Sequence, residues 1–302
     1  MNFFKVIKFI IFNYIIVIFK AHNNFFRVLS LEIMFYMPNL IVCRFMNLLQ
    51  IILNKRVKFF YDKEKILFFA LESSKKHYFC SKMRGFSLYA NGISKRSSIL
   101  AKSYFIDKIN FEKSDTVIDC GANYGDLFPY LKKYINPNNY HSFEPGQNEF
   151  KCLKVNAKKG INNQLGLNIN SKETSFYVNS QDGDSSFLEP KKGYEKNIRI
   201  KTISFDEYIK IKKIKFVKLF KLEAEGFEPE ILQGSKLSIN IVEYVALDGG
   251  EERGVAEAET LSMATNFLLA HNFELLSIDI KSKMGRALFR NKSFINSNLL
   301  LK

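Results

Sequence analysis

Four stretches of this sequence put carboxylates where buried strands should stop. Asp119 closes the apolar start of Thr116-Val117-Ile118, and Glu144 follows Tyr140-His141-Ser142-Phe143. Glu223 and Glu225 follow Val217 to Leu222, and Asp248 follows Ile241 to Leu247. In an open α/β sheet the carboxyl ends of the strands border the ligand crevice. Acids gathered there are costly unless a cation stands among them. A bound sulfonium, a metal ion or Lys221 would serve. Any one of these acids also reads as a solvated helix cap, a reading that fits all of them together less well.

The first two stretches are joined by glycines. Gly121 and Gly125 follow Asp119 in a G-x-x-x-G spacing, with Asn123 between them. Gly121 lets backbone approach a ligand closely, and Gly125 lets the turn double back. The spacing is neither G-x-G-x-x-G nor a P-loop, since no Lys-Ser or Lys-Thr follows. An acid at the tip of the second strand of a βαβ unit takes the two hydroxyls of an adenosine ribose. Asp119, the two glycines and Glu144 therefore fit S-adenosylmethionine, which has no pyrophosphate to hold. The bland alternative makes Glu144 a cap for the following helix, with Pro145 in its first turn.

These residues need an alternation of strands and helices to position them, and from Thr116 onward the sequence supplies one. Helical patterns cover Leu127 to Tyr134, Gln147 to Lys158, Phe205 to Lys210, Glu228 to Gly234 and Ala256 to His271. Strand patterns cover Asn163 to Asn170, an inserted pair at Ser175 to Val178 and Ile198 to Ile203, and a closing antiparallel pair at Phe273 to Ile280 and Arg286 to Arg290. Upstream, Ser94 to Ile109 reads as a helix. Tyr78-Phe79-Cys80 and Phe86 to Tyr89 read as strands around a Lys82 to Gly85 turn.

Taken in order, VIDCGANYGD, FEP, DGDSSF, KTISFDEYI, FKLEAEGFEPEILQG and VEYVALDGG resemble the successive motifs of the FkbM family of methyltransferases, over about residues 113–250. The resemblance implies an α/β, Rossmann-like class I methyltransferase fold, a mostly parallel sheet with helices on both faces. It also implies S-adenosylmethionine as cofactor and a hydroxyl oxygen as methyl acceptor, on a glycan or small natural product. Carried over, Asp119, Gly121, Asn123 and Gly125 form the cofactor loop and Glu144 holds the ribose. Ser185 and Ser186 match the family's serine pair, with Ser186 set among the cofactor-binding residues, and Glu225-Gly226 match its Glu-Gly. Where the family usually has Asp, this chain has Glu223, whose longer arm shifts its oxygens by a methylene.

The sulfonium is already an activated methyl donor, so the protein must align an acceptor oxygen and remove its proton. Glu223 and Glu225 are the candidate bases and Asp248 the third. Two carboxylates are too few to argue a metal, and none is assigned.

Composition sets the remaining bounds. The chain has 302 residues, 47% of them hydrophobic, enough for one α/β domain with an appendage. Its four cysteines show no CxxC spacing, which fits a reduced, cytoplasmic compartment. The formal charge of +15 invites a nucleic-acid reading, but no aromatic-basic RNA motif accompanies it and no specific nucleic-acid partner is assigned. Residues 1–60 hold eight Lys or Arg and one acid, among long apolar runs that include Met1 to Phe19. A helical apolar extension of this kind lies on the inner, anionic face of a membrane or caps the domain. The division expected is 1–60, a lead-in over 61–112, and the catalytic domain over 113–302. The competing classes are a nucleotide- or nucleic-acid-binding protein without catalysis and a degenerate scaffold.

Overall fold

The protein is described by a computed structural model over residues 36–179, 183–191 and 193–297. The apolar run of Met1 to Phe19 and the start of the next lie outside the described residues. The chain divides into two compact units, 1–93 and 94–302, so the lead-in expected over 61–112 is shared between them.

In the first unit, helix α1 (Asn39–Ile52) precedes an antiparallel sheet of β1 (Val57–Asp62), β2 (Leu67–Glu72) and β3 (Lys75–Phe79), followed by α2 (Lys82–Tyr89). The Asn47 side chain joins helix to sheet: its amide donates to Phe59 O at 2.9 Å, and its Oδ1 accepts from Phe59 N at 2.6 Å. Phe59, Phe68, Phe79 and Phe86 form an aromatic core, with Phe59 and Phe86 edge to face at 4.9 Å. Each fully buried Phe of this kind contributes about 1.5–3 kcal/mol. The strand expected at Phe86 to Tyr89 is part of α2. Gly85, Phe86 and Tyr89 are buried at helical spacing, and a Cβ on Gly85 would meet the Phe79 ring at 1.9 Å. No helix among the described residues is long and apolar enough to cross a membrane.

The second unit holds the sheet that the acids were expected to border. Strands β4 (Val117–Cys120), β5 (Tyr140–Phe143), β6 (Ile161–Asn163), β10 (Val217–Leu222) and β11 (Val242–Arg253) run parallel in the order β11-β10-β4-β5-β6. The hairpin of β13 (Phe273–Lys281) and β14 (Met284–Asn291) closes it antiparallel beside β11, as expected from the sequence. Helices cover both faces. Leu100 and Ala101 of the α3 segment (Ile93–Ser103) and Tyr104 just after it, with Leu131 of α4 (Phe128–Leu131) and Leu153 of α5 (Gln147–Asn156), pack with Val117, Leu219, Ala246 and Leu288. Phe205 of α6 (Phe205–Lys212), Ile231 of α7 (Glu228–Gln233) and Leu268 of α8 (Leu261–Ala270) pack with Ile118, Phe220, Val245 and Phe289. The unit is thus a Rossmann-like α/β fold. Ser204 caps the start of α6, its Oγ accepting from Glu207 N at 3.1 Å.

Several boundaries depart from the periodic reading. The single strand expected over Asn163 to Asn170 is two: β6 in the main sheet and β7 (Gly166–Asn168) in a second sheet ordered β7-β9-β8, with β8 (Glu173–Val178) and β9 (Lys196–Ser204). The chain changes sheets at Gly166, where a Cβ would strike the Phe187 ring at 2.1 Å. The helix expected from Ala256 starts only at Leu261, because Ala258–Glu259 turn back as β12 against β11. The helix expected over Leu127 to Tyr134 keeps one turn, α4, with Pro129 at its start.

Candidate active site

The loop after β4 is built on three residues of positive φ, Gly121 (+72°), Asn123 (+49°) and Gly125 (+80°). Gly121 N and Ala122 N donate to Phe143 O at 3.0 Å, which ties the loop to the tip of β5. A Cβ on Gly121 would lie 1.9 Å from Glu223 O, so this glycine permits a close approach between the tips of β4 and β10.

Glu144 is buried at that tip. Its Oε2 accepts Asn123 N and its Oε1 accepts Gly146 N, both at 2.8 Å. Burial, with Glu149 nearby, pushes its carboxyl up to about 8 against the pull of those two N–H groups. Each oxygen keeps a lone pair, so the group can take two further donors, the number a vicinal diol brings.

Beneath the loop lies a buried lysine. Lys221, 2% exposed, donates to Cys120 O at 3.0 Å and Gly121 O at 2.8 Å. It also pairs with Glu223 at 2.7 Å and Asp119 at 3.3 Å. Burial would discharge it, but these two carboxylates outweigh burial and hold it protonated. Asp119 takes the Tyr140 hydroxyl on its other oxygen and is itself buried. Asp119 therefore braces the cofactor loop from below through Lys221.

The acids beyond β10 differ in kind. Burial raises Glu223, but Lys221 overrides it, with Arg286 and Tyr104 assisting, and brings the carboxyl down to about 2. Asp248 accepts from the Tyr104 hydroxyl and from Arg286 Nε, each at 2.9 Å, while burial first and Glu223 second raise it. Glu225 sits at φ +50°, well above the ordinary carboxylate range because of burial and then Glu252, Glu223, Asp184 and Glu228. Its neighbour Glu252 is itself pushed up to about 8 by burial and by Glu228, Asp248 and Glu223. Two neighbouring carboxyls raised in this way bind protons more tightly than free carboxylates do.

Ser186 is buried, and its hydroxyl donates to Glu225 O at 2.8 Å. Ser185 Oγ accepts from Asn179 N at 2.8 Å. Arg253 forks onto Glu230 and donates to Gly226 O at 2.9 Å, fixing the Glu225-Gly226 turn.

The structure thus brings Asp119, Gly121, Asn123, Gly125 and Glu144 together at the tips of β4 and β5, and places Glu223 and Glu225 beyond β10. Asp248 does not end its strand as expected but lies within β11, just past the last residue paired with β10, because β11 continues to Arg253 against β14 and β12. Ser186 reaches this second group through the Glu225 backbone. Sequence reasoning missed Tyr104, Glu228, Glu252 and Arg286. Glu228 stood three residues after Glu225 and read only as a helix start, whereas the other three carry no local signal. Among the described residues no group of three or more His, Cys, Asp or Glu is placed to hold a metal ion.

Comparison with known proteins shows the family. The chain matches the Methyltransferase FkbM domain over residues 119–275. It is 24% identical to "Methyltransferase 1" of Beauveria bassiana, covering 61% of this chain and 87% of that protein. It is 27% identical to "Hexuronic acid methyltransferase AglP" of Haloferax volcanii, covering 58% and 72%. Among solved structures, Methyltransferase FkbM from Methylobacillus flagellatus KT aligns at 16% identity and a TM-score of 0.42, over 65% of this chain and 50% of that one.

Proposed function

Because this chain belongs to the FkbM family of methyltransferases, we propose that it uses S-adenosylmethionine to methylate a hydroxyl oxygen of a saccharide or a related small molecule. The observation that carries the hydroxyl acceptor is the neighbouring pair of Glu225 and Glu252 beyond β10, each of whose carboxyls burial and nearby acids raise above the ordinary range. A sugar hydroxyl needs a base whose proton affinity lies near neutrality. Glu223, held at about 2 by Lys221, is too weak for that task. The Glu225–Glu252 pair suits it.

The donor set fits the cofactor. Glu144 has lone pairs for both ribose hydroxyls, and the backbone of the Gly121 to Gly125 loop would lie along the rest. When bound, the cofactor supplies a methyl group on a cationic sulfur that leaves as a neutral thioether. Lys221 and Asp119 hold the loop beneath it, and Glu144 fixes its orientation. Two strand spacings separate β5 from β10, about 10 Å, so the acceptor would lie over β10 and β11 when the ribose lies on Glu144. There the Glu225–Glu252 pair accepts the hydroxyl proton as the oxygen takes the methyl.

Tritium-labelled cofactor and a series of methyl hexosides test this reading. The label should appear in a base-stable methyl ether, and Glu225→Gln should slow transfer at least about tenfold. Label in a base-labile ester or on nitrogen would refute a hydroxyl acceptor.

Peripheral contact with an anionic membrane through residues 1–60 belongs to the same proposal. Leu40, Ile41, Phe45, Leu48 and Ile51 of α1 are exposed, and Lys55, Arg56 and Lys58 follow them. Full-length protein should float with anionic liposomes and not with neutral ones; equal behaviour with both would remove this part.

A further inference from the structure

The outer edge of the main sheet is an apolar strand. Among the described residues β13 pairs with β14 on one side and with no strand on the other. Such an edge presents unpaired backbone N–H and C=O groups, which proteins commonly cover or guard with charge. Leu276, Ile278 and Ile280 are instead 45%, 45% and 62% exposed. They share one face. Ile278 stands opposite Ala287 and Ile280 opposite Gly285, where a Cβ would meet both Ile280 Cγ1 and the Leu261 side chain of α8. Leu276, two residues before Ile278, falls on that same α8 side. The opposite face of the strand is polar, with Ser277, Asp279 and Lys281. There Ser277 Oγ accepts from Lys108 Nζ at 2.9 Å, and the Asp279 side chain is exposed.

We propose that β13 joins two copies of this chain, edge to edge and antiparallel, about a two-fold axis at Ile278, so that their main sheets become one. Opposed residues of an antiparallel pair lie on the same face. With the axis at Ile278, Leu276 meets the partner's Ile280, Ile278 meets its own copy, and Ile280 meets the partner's Leu276. On the polar face Ser277 meets the partner's Asp279, which brings that carboxylate beside the Lys108 ammonium. Symmetry makes this ion pair twice. Neighbouring registers lose the match. An axis at Asp279 sets two carboxylates against each other, and an axis at Ser277 brings two Lys108 ammonium groups together. The paired segment also ends where the strand stops being regular, at the bulge between Leu275 and Ser277. The apolar row and the charge pattern each complement themselves, which points to a second copy rather than to a foreign strand.

The test is sedimentation velocity of the full-length protein over a range of concentrations. An interface of this size should give a dimer with a Kd on the order of 10 μM. Ile278→Lys, which puts two ammonium groups on the axis, should weaken the dimer at least about tenfold. Lys108→Glu and Asp279→Lys should each weaken it at least about threefold, and the double variant should return to within about twofold of the parent. All four positions are at the surface, and circular dichroism shows that each variant is folded. A monomer at every concentration up to about twenty times that Kd would overturn the assignment. So would association untouched by Ile278→Lys, as the exposed face of α1 would give, or a charge-swapped double variant no better than the single ones.

Discussion

Lys221 is buried with no bulk water to solvate it, so its charge must be met by the protein. It meets Asp119, Glu223 and two carbonyl oxygens of the cofactor loop, and the loop inherits its position from that bond set. Removing one partner of a buried set strands the others. Lys221→Met should therefore destabilise the protein by about 3–5 kcal/mol in denaturant unfolding. A loss below about 1 kcal/mol, as for an exposed ion pair, would show the lysine to be incidental. The sequence placed the acids at the strand tips and named Lys221 as a possible counter-charge, but it did not sort their roles. Glu223 and Glu225 look alike in a sequence. They differ because Lys221, Arg286 and Tyr104 surround the first while Glu252 and Glu228 surround the second, and those partners come from distant segments.

At the level of elements, the site depends on how closely the tips of β4 and β10 approach. Gly121 holds φ +72°, and a Cβ there would meet Glu223 O at 1.9 Å. Gly121→Ala should cost more than about 1 kcal/mol through strain alone. It should also push the loop off Lys221 and weaken S-adenosylhomocysteine binding at least about tenfold. Unchanged binding would mean that the loop tolerates displacement and that the approach is not what shapes the site. The parallel strands were legible because strands buried on both faces are rich in apolar residues, four of the six from Val217 to Leu222. The break between β6 and β7 was not. From Asn163 to Asn170 the apolar Leu165, Leu167 and Ile169 alternate with other residues as in one strand, and the switch of sheets comes at Gly166, over which the Phe187 ring packs. The first two strands of the first unit were likewise unread, since their apolar and charged residues alternate irregularly from Val57 to Glu72.

Across the whole molecule, several acids titrate on the alkaline side of their usual range. Glu144 and Glu252 stand at about 8 and Glu228 at about 7, all above the ordinary 4.5. A group whose proton is held more tightly in the folded state stabilises fully below its unfolded value, and that contribution fades as pH rises through the folded value. Thermal stability should therefore fall from pH 6 to pH 9, and Glu252→Gln, which mimics the protonated form, should flatten the decline. A melting temperature constant over that range in the parent protein would contradict the raised proton affinity of these carboxyls. Glu223 runs the other way: with its folded value near 2, its contribution is present above 4.5 and is lost as pH falls toward 2. The central claim concerns the cofactor, and one experiment addresses it most directly. Full-length protein and its Glu144→Ala variant are titrated calorimetrically with S-adenosylhomocysteine, with NAD as control. The account predicts micromolar binding by the parent, at least about tenfold weaker in the variant, and none of NAD. Absence of S-adenosylhomocysteine binding by folded parent protein, or equal binding by the variant, would contradict it.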